Sequence, residues 1–180
     1  MDLTLILGPM KSSKSLELIA MASPLKYSSM AFLVVQHVRN TREEGVWSRG
    51  GVELASEKVK SLNDIRDRFF SFLAIDEIHM FPEEEVDIIE EFLRKGVKVV
   101  ISGLDMDYRG VMFPVVRRLF ELGPREVRYK RAVCDSCKNF NATHTQIREK
   151  GVPVTGGLDS VKVDNGTLEY TAVCRHCFVK

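Results

Sequence analysis

Three short stretches of the chain hold residue types that do chemistry. The first, GPMKSSKS at residues 8 to 15, closes on Lys14 and Ser15 in the manner of a phosphate-binding loop of pattern GxxxxGK[ST]. In such a loop the backbone N–H groups of residues 10 to 15 surround a β-phosphate. The Lys14 ammonium reaches the β and γ oxygens, and the Ser15 hydroxyl ligates Mg²⁺. Ser13 stands where the pattern has glycine. Its Cβ obstructs close approach of backbone to phosphate and opposes a conformation that glycine adopts freely, so a working but weakened site is expected. A Gly-Pro turn leading into a helix with an exposed lysine is the plainer alternative.

The second stretch is FLAIDEIHMF, in which an apolar run ends on Asp76 and Glu77. Nucleotide-binding sheets place their Mg²⁺-orienting aspartate at such a strand end. Side chains alternate along a strand, so the two acids need not do one job. Asp76 is expected to hold the metal's water shell and Glu77 to face the substrate as a general base. Solvated acids capping a strand are the bland alternative, which the loop upstream weakens. The third stretch is a pair of hooks, Cys134-x-x-Cys137 and Cys174-x-x-Cys177, with 36 residues between them. Four thiolates so spaced can surround Zn²⁺ tetrahedrally and close the intervening segment into a loop. Gly156 and Gly157 give that loop a pliable centre and make it a candidate lid. Paired disulfides are the weaker alternative, and His176 inside CRHC reads as a neighbour of the metal.

The elements that must position these residues are visible as periodicity. LTLIL before Gly8, AFLVV at 31 to 35, FLAID at 72 to 76 and VKVVIS at 97 to 102 are apolar runs separated by helical patterns. That alternation implies a mostly parallel sheet covered by helices on both faces, a doubly wound α/β fold. PEEEVDIIEEFLRKG is a helix with Pro82 in its first turn, glutamates at its positive end and Gly96 to close it. From residue 131 the composition shifts to Cys, Gly, Asn and Thr with short extended pieces, and DNG before TLEYTAV reads as a hairpin turn into a strand. Residues 1 to 130 are therefore expected to form a nucleotide-binding α/β domain and residues 131 to 180 a small zinc-built lid domain.

Composition excludes several classes. Lys and Arg total 26 against 25 Asp and Glu, a formal charge of +1, so no broad field calls for nucleic acid or an anionic membrane. Residues 125 to 180 hold ten Lys or Arg against six acids, too mild a surplus for a zinc ribbon that grips nucleic acid. No apolar run approaches the roughly 20 residues of a spanning helix. The first residues resemble neither a signal nor a transit peptide, and cysteines spaced for metal fit a reducing compartment. A cytoplasmic location is expected.

GPMKSSKS, AIDEIHMF, GLDMDYRG, KRAVC with CDSC, VTGG and EYTAVCRHC fall in the order of the motifs of the type II thymidine kinases. Over nearly its whole length the chain resembles that family of phosphate-loop α/β enzymes with a zinc-bound lasso. The resemblance implies transfer of the ATP γ-phosphoryl to the 5′-hydroxyl of thymidine or deoxyuridine, a small-molecule nucleoside, in a homotetramer. It makes Glu77 the catalytic base. Gly8, Pro9, Met10, Lys11, Ser12, Ser13, Lys14, Ser15, Asp76 and Arg42 become the ATP and Mg²⁺ group. Met10, Leu104, Tyr108 and Phe113 match an apolar slot for the base, with Tyr108 stacking. Thr145, Val154, Gly156 and Tyr170 match residues near the base and sugar. Cys134, Cys137, Cys174 and Cys177 match the structural Zn²⁺ ligands. For any one of the apolar four, core packing is an equal alternative.

The departures are Ser13, His79 and Met80 in DEIHM where the family has DExQF, NTR at 40 to 42, SRGG at 48 to 51, and an insertion from 158 to 169. His79 reads as a hydrogen-bonding substitute for the amide. A diverged member that binds nucleotide with weak or no transfer, serving regulation or assembly, is the competing expectation. Retention of Lys14, Ser15, Asp76 and Glu77 favours the active kinase.

Overall fold

The computed structural model describes residues 2–40, 45–47, 53–157 and 168–180. In chain order the elements are β1 (Leu3–Leu7), α1 (Lys14–Ala22), β2 (Phe32–His37), β3 (Val46–Trp47), β4 (Glu53–Leu54), β5 (Glu57–Val59), β6 (Phe72–Asp76), α2 (Glu85–Arg94), β7 (Lys98–Gly103), α3 (Pro114–Glu121), β8 (Glu126–Tyr129), β9 (His144–Glu149), β10 (Val152–Pro153) and β11 (Leu168–Val173). Six strands form one sheet in the order β5-β2-β6-β7-β1-β8, and every pairing in it is parallel.

Alternation along the central strands assigns their side chains to two separate cores. Ile6, Val34, Ala74 and Val100 face α1 and pack with Leu18, Ile19 and Ala22. Their neighbours Leu5, Leu7, Val35, Leu73, Ile75, Val99 and Ile101 face the other way, onto Val86, Ile89 and Phe92 of α2 and Val115, Val116 and Leu119 of α3. Burial on both faces is what the continuous apolar runs require. All five residues of β1 and all five of β6 are buried, so both chemical stretches are carried on strands that cannot shift register without exposing a core face.

The helix read from PEEEVDIIEEFLRKG begins later than Pro82 suggests. Its first residue is Glu85, with Glu84 at the N-cap, because Glu85 N closes a turn onto Pro82 O at 3.3 Å before the helix starts. Glu85 is buried and accepts from Leu62 N at 2.7 Å, so one of the three glutamates caps another segment as well as facing the helix dipole. At the other end Gly96, at φ 82°, turns the chain into β7.

The cysteine-rich part forms a second, antiparallel sheet in the order β10-β9-β11. Residues 144 to 149 pair with 173 to 168. The first hook is tied to this ribbon by Asp135 N, which donates to Ala172 O at 2.8 Å, and the second hook follows directly on β11. The expected strand over LEYTAV is therefore present. The DNG turn, Arg42, residues 48 to 51 and most of the 158 to 169 insertion lie outside the described residues. No helix among the described residues is long and apolar enough to cross a membrane.

Candidate active site and cysteine cluster

The loop after β1 depends on a close approach at Gly8. A Cβ on Gly8 would lie 2.4 Å from Lys130 O, and Lys130 N donates to Leu7 O at 2.7 Å. Only glycine lets β8 pass so close at the point where the chain leaves the sheet. Beyond it, Lys11 (φ 64°) and Ser13 (φ 63°) both adopt the left-handed conformation. Ser12 Oγ and Lys14 Nζ both donate to Pro9 O at 2.7 Å, which keeps the Lys14 ammonium buried and folded into the loop. At the start of α1, Glu17 accepts from Arg128 at 2.8 Å and from Lys130, fixing the helix against β8.

The positive φ at Ser13 gives a physical cause for the glycine in the pattern. A non-glycine residue in this conformation costs about 1 to 2 kcal/mol, and Ser13 makes no side-chain cap to offset it. Ser13→Gly should therefore tighten ATP by about tenfold, measured by calorimetry. Unchanged or weaker binding would mean that the serine is an accommodated part of this loop.

The two acids are separated by a backbone turn rather than by strand alternation. β6 ends at Asp76, and Glu77 is itself left-handed at φ 55°, ψ 46°. Asp76 is buried and accepts from Ser15 Oγ at 3.1 Å, from Ser102 Oγ, and from Gln36 Nε2 at 3.5 Å. The loop, β6, β7 and β2 thus converge on one carboxylate. Burial, with the Glu77 charge adding to it, raises the Asp76 carboxyl to about 6. Ser102 and Gln36 were not singled out from sequence. The signal available was a polar residue at the C-terminal end of each strand flanking β6.

His79 is held beside this group as a neutral imidazole. Burial, with the Lys14 charge next, lowers it to about 3, and its Nδ1 accepts from Leu104 N at 3.3 Å. Its 3.4 Å approach to Glu77 is therefore no ion pair, since an imidazole nitrogen that accepts a proton carries none to share. The hydrogen-bonding character expected of His79 is present, and its ring also packs on Phe113 at 5.2 Å between centroids.

The residues matched to the nucleoside pocket divide into four groups. Tyr108, Val154 and Tyr170 cluster with Ile147 and Leu168; the last two were not expected, although β9 and β11 alternation brings them to the same face. Phe113 and Leu104 pack instead against the core on the α2 and α3 side. Gly156 is exposed, with open space around the position of a Cβ. Met10 and Thr145 meet directly, Met10 N donating to Thr145 Oγ1 at 3.0 Å. That amide is spent within the protein, so a phosphate would meet the amides further along the loop.

The four cysteine sulfurs lie within 4.8 Å of one another, all as free thiols. A tetrahedral Zn–S bond of about 2.3 Å sets sulfurs about 3.8 Å apart, and Cys137 Sγ and Cys174 Sγ are separated by 3.8 Å. Cys134 Sγ accepts backbone N–H groups from Cys174 at 3.3 Å and Cys137 at 3.5 Å. Burial pushes the Cys134 thiol up, but these donors outweigh it and bring it to about 6. A sulfur that attracts backbone donors is prepared to be a thiolate ligand, so the residues fit a metal ion.

A family model described as thymidine kinase matches residues 1–178. The chain is 32% identical over 180 residues to a thymidine kinase of Mycoplasma mobile, covering 97% of this chain and 86% of that protein. It is 32% identical over 179 residues to one from Mesomycoplasma hyopneumoniae, with 96% and 92% covered. To a thymidine kinase of Metamycoplasma arthritidis it is 30% identical over 178 residues, with 96% and 87% covered.

Proposed function

Because the chain belongs to the thymidine kinase family, we propose that it transfers the γ-phosphoryl of ATP to the 5′-hydroxyl of thymidine or deoxyuridine. The observation that carries the active-kinase reading is the meeting of Ser15 with Asp76 at 3.1 Å, next to a Glu77 turned out of the strand line. A phosphate loop and a strand-end acid that share a hydrogen bond are arranged to hold one cation between them.

In this reading Ser15 would ligate Mg²⁺ and Asp76 would hold its water shell, and the ion would supply positive charge to the phosphate oxygens. Lys14 leaves Pro9 O for the β and γ oxygens, and the remaining loop amides cradle the β-phosphate. Glu77 accepts the proton of the 5′-hydroxyl. His79, kept neutral, orients the turn that carries Glu77 by fixing it to Leu104. Tyr108, Val154 and Tyr170, with Ile147 and Leu168, form the apolar wall for the base. Met10, Leu104 and Phe113 are kept as slot residues and Thr145 as a base-proximal one on the family pattern, and Gly156 lets the lasso bend over the base. Arg42, outside the described residues, is kept as a phosphate-contacting cation on the family pattern. Residues 1 to 130 serve as the nucleotide domain and 131 to 180 as the lid, in a cytoplasmic homotetramer.

Transfer of labelled phosphate from ATP to a panel of nucleosides tests the assignment. Label is expected on thymidine or deoxyuridine and to require Mg²⁺. Label on no nucleoside, with ATP still bound, would point to a nucleotide-binding protein without transfer.

Zn²⁺ at the four cysteines would fix both ends of the lid segment. Cys134→Ser is expected to lose the metal, about one ion per chain by elemental analysis, and with it nucleoside binding, while the far-ultraviolet spectrum keeps its α/β content. Metal-free protein that binds nucleoside normally would remove the metal from this part.

A further inference from the structure

Two neighbouring residues of the phosphate loop are gripped by the cysteine-rich part. Met10 N donates to Thr145 Oγ1 at 3.0 Å, and Lys11 Nζ donates to Asp135 Oδ2 at 2.7 Å. Both anchors adjoin one residue of β11. Thr145 is the partner of Ala172 in the β9–β11 register. Asp135 exchanges two bonds with Ala172: its backbone N donates to Ala172 O at 2.8 Å and its Oδ2 accepts from Ala172 N at 2.7 Å. Asp135 follows Cys134 in the chain, and Ala172 lies two residues before Cys174. Cys174 N in turn donates to Cys134 Sγ at 3.3 Å. The chain of contacts runs from the sulfurs through Asp135 and Ala172 to the loop without a gap.

The loop has reason to need such a grip. Lys11 and Ser13 are both left-handed without being glycine, a conformation that persists only where surroundings impose it. A loop released from its anchors relaxes, and its apparent affinity for phosphate falls by the fraction of time it is competent.

Resting on the assignment of residues 8 to 15 to ATP, we infer that Asp135 is a positioning residue for the phosphate loop, through which metal held by the four cysteines tightens ATP binding. By linkage, ATP tightens retention of the metal by the same factor.

The sign of one substitution separates positioning from simple electrostatics. Asp135→Asn keeps an acceptor for Ala172 N but gives up the ion pair. Removing a negative charge near a polyphosphate would by charge alone tighten ATP. Loss of positioning weakens it, by about threefold for a pair as accessible as this one, in which the side chains are 31% and 30% exposed. ATP affinity is measured by calorimetry on zinc-loaded Asp135→Asn of verified metal content. In a Lys11→Met background, where there is no ion pair left to lose, the same substitution should no longer weaken ATP. In the unsubstituted protein, removal of zinc by a chelator should weaken ATP by about threefold to tenfold, and a non-hydrolysable ATP analogue should slow zinc loss to the chelator. This last measurement needs no variant and stands if Asp135→Asn folds poorly. Unchanged or tighter ATP binding in Asp135→Asn, or zinc loss indifferent to nucleotide, overturns the inference while leaving the kinase assignment intact. Failure of the unsubstituted, zinc-loaded protein to bind ATP at all would overturn both.

Discussion

Glu77→Gln lowers kcat by about 10²-fold or more and leaves ATP affinity little changed. The amide matches the carboxylate in shape and keeps one acceptor oxygen, so the left-handed turn at Glu77 and the packing of Ile78 beneath it are preserved. What it cannot do is take a proton from a hydroxyl. Because Glu77 lies outside the group of Ser15, Ser102 and Gln36 around Asp76, its replacement leaves the proposed cation site intact. The loss should therefore fall on kcat with substrate KM nearly constant. Steady-state kinetics with ATP and thymidine read it directly. Activity within about threefold of the parent would move the base elsewhere, with Asp76 next to test.

Asp76→Asn produces two opposite effects, a loss of Mg²⁺-dependent transfer of about 10²-fold or more and a gain in stability at neutral pH. The gain follows from the raised carboxyl of Asp76, near 6 in the folded chain against 3.8 for the free group. Below about pH 4 the side chain is protonated folded or unfolded, and the native state loses nothing by it. As pH rises towards 6 the unfolded chain releases its proton while the native one holds it, so stability falls. Above 6 the full cost of an ionised, buried acid beside Glu77 is present. The asparagine carries no such cost, and the Ser15 and Ser102 hydroxyls can reverse to meet its amide. Melting temperatures in Mg²⁺-free buffer should rise by several degrees at pH 7 to 8, converging with the parent near pH 4. An equal melting temperature at both pH values would show that Asp76 is not destabilising.

The parts of this site that were legible in the sequence are those fixed by local pattern. The strands over 3–7 and 72–76 are apolar runs long enough to be buried on both faces, and Lys14, Ser15 and Asp76 carry motif spacing. Cysteine hooks need only two residues between ligands to declare themselves. Local pattern failed where the backbone left its regular state. Alternation predicts that Asp76 and Glu77 diverge, and they do, but through a left-handed turn that no residue preference signals. The start of α2 shifted because Pro82 to Glu84 closed a turn of their own. Contacts between distant segments were invisible in another way: Ser102 on Asp76, Ile147 with Leu168, and Lys11 with Asp135 depend on registers set by the whole sheet.

The position of β1 carries a consequence for how the chain comes to be folded. Residues 3 to 7 are made before either of their partners, for they pair with 99 to 103 on one side and 126 to 129 on the other. Strands so far apart in sequence close only after long stretches of chain have been immobilised, which makes such topologies slow to form. During synthesis LTLIL emerges with both edges unpaired; one edge waits for residues 99 to 103 and the other for residues 126 to 129. Because Gly8 to Ser15 hang from its end, the phosphate loop belongs among the last pieces to take shape. Destabilising changes in β7 or β8 should then lengthen the interval in which an apolar N-terminal strand is open to aggregation.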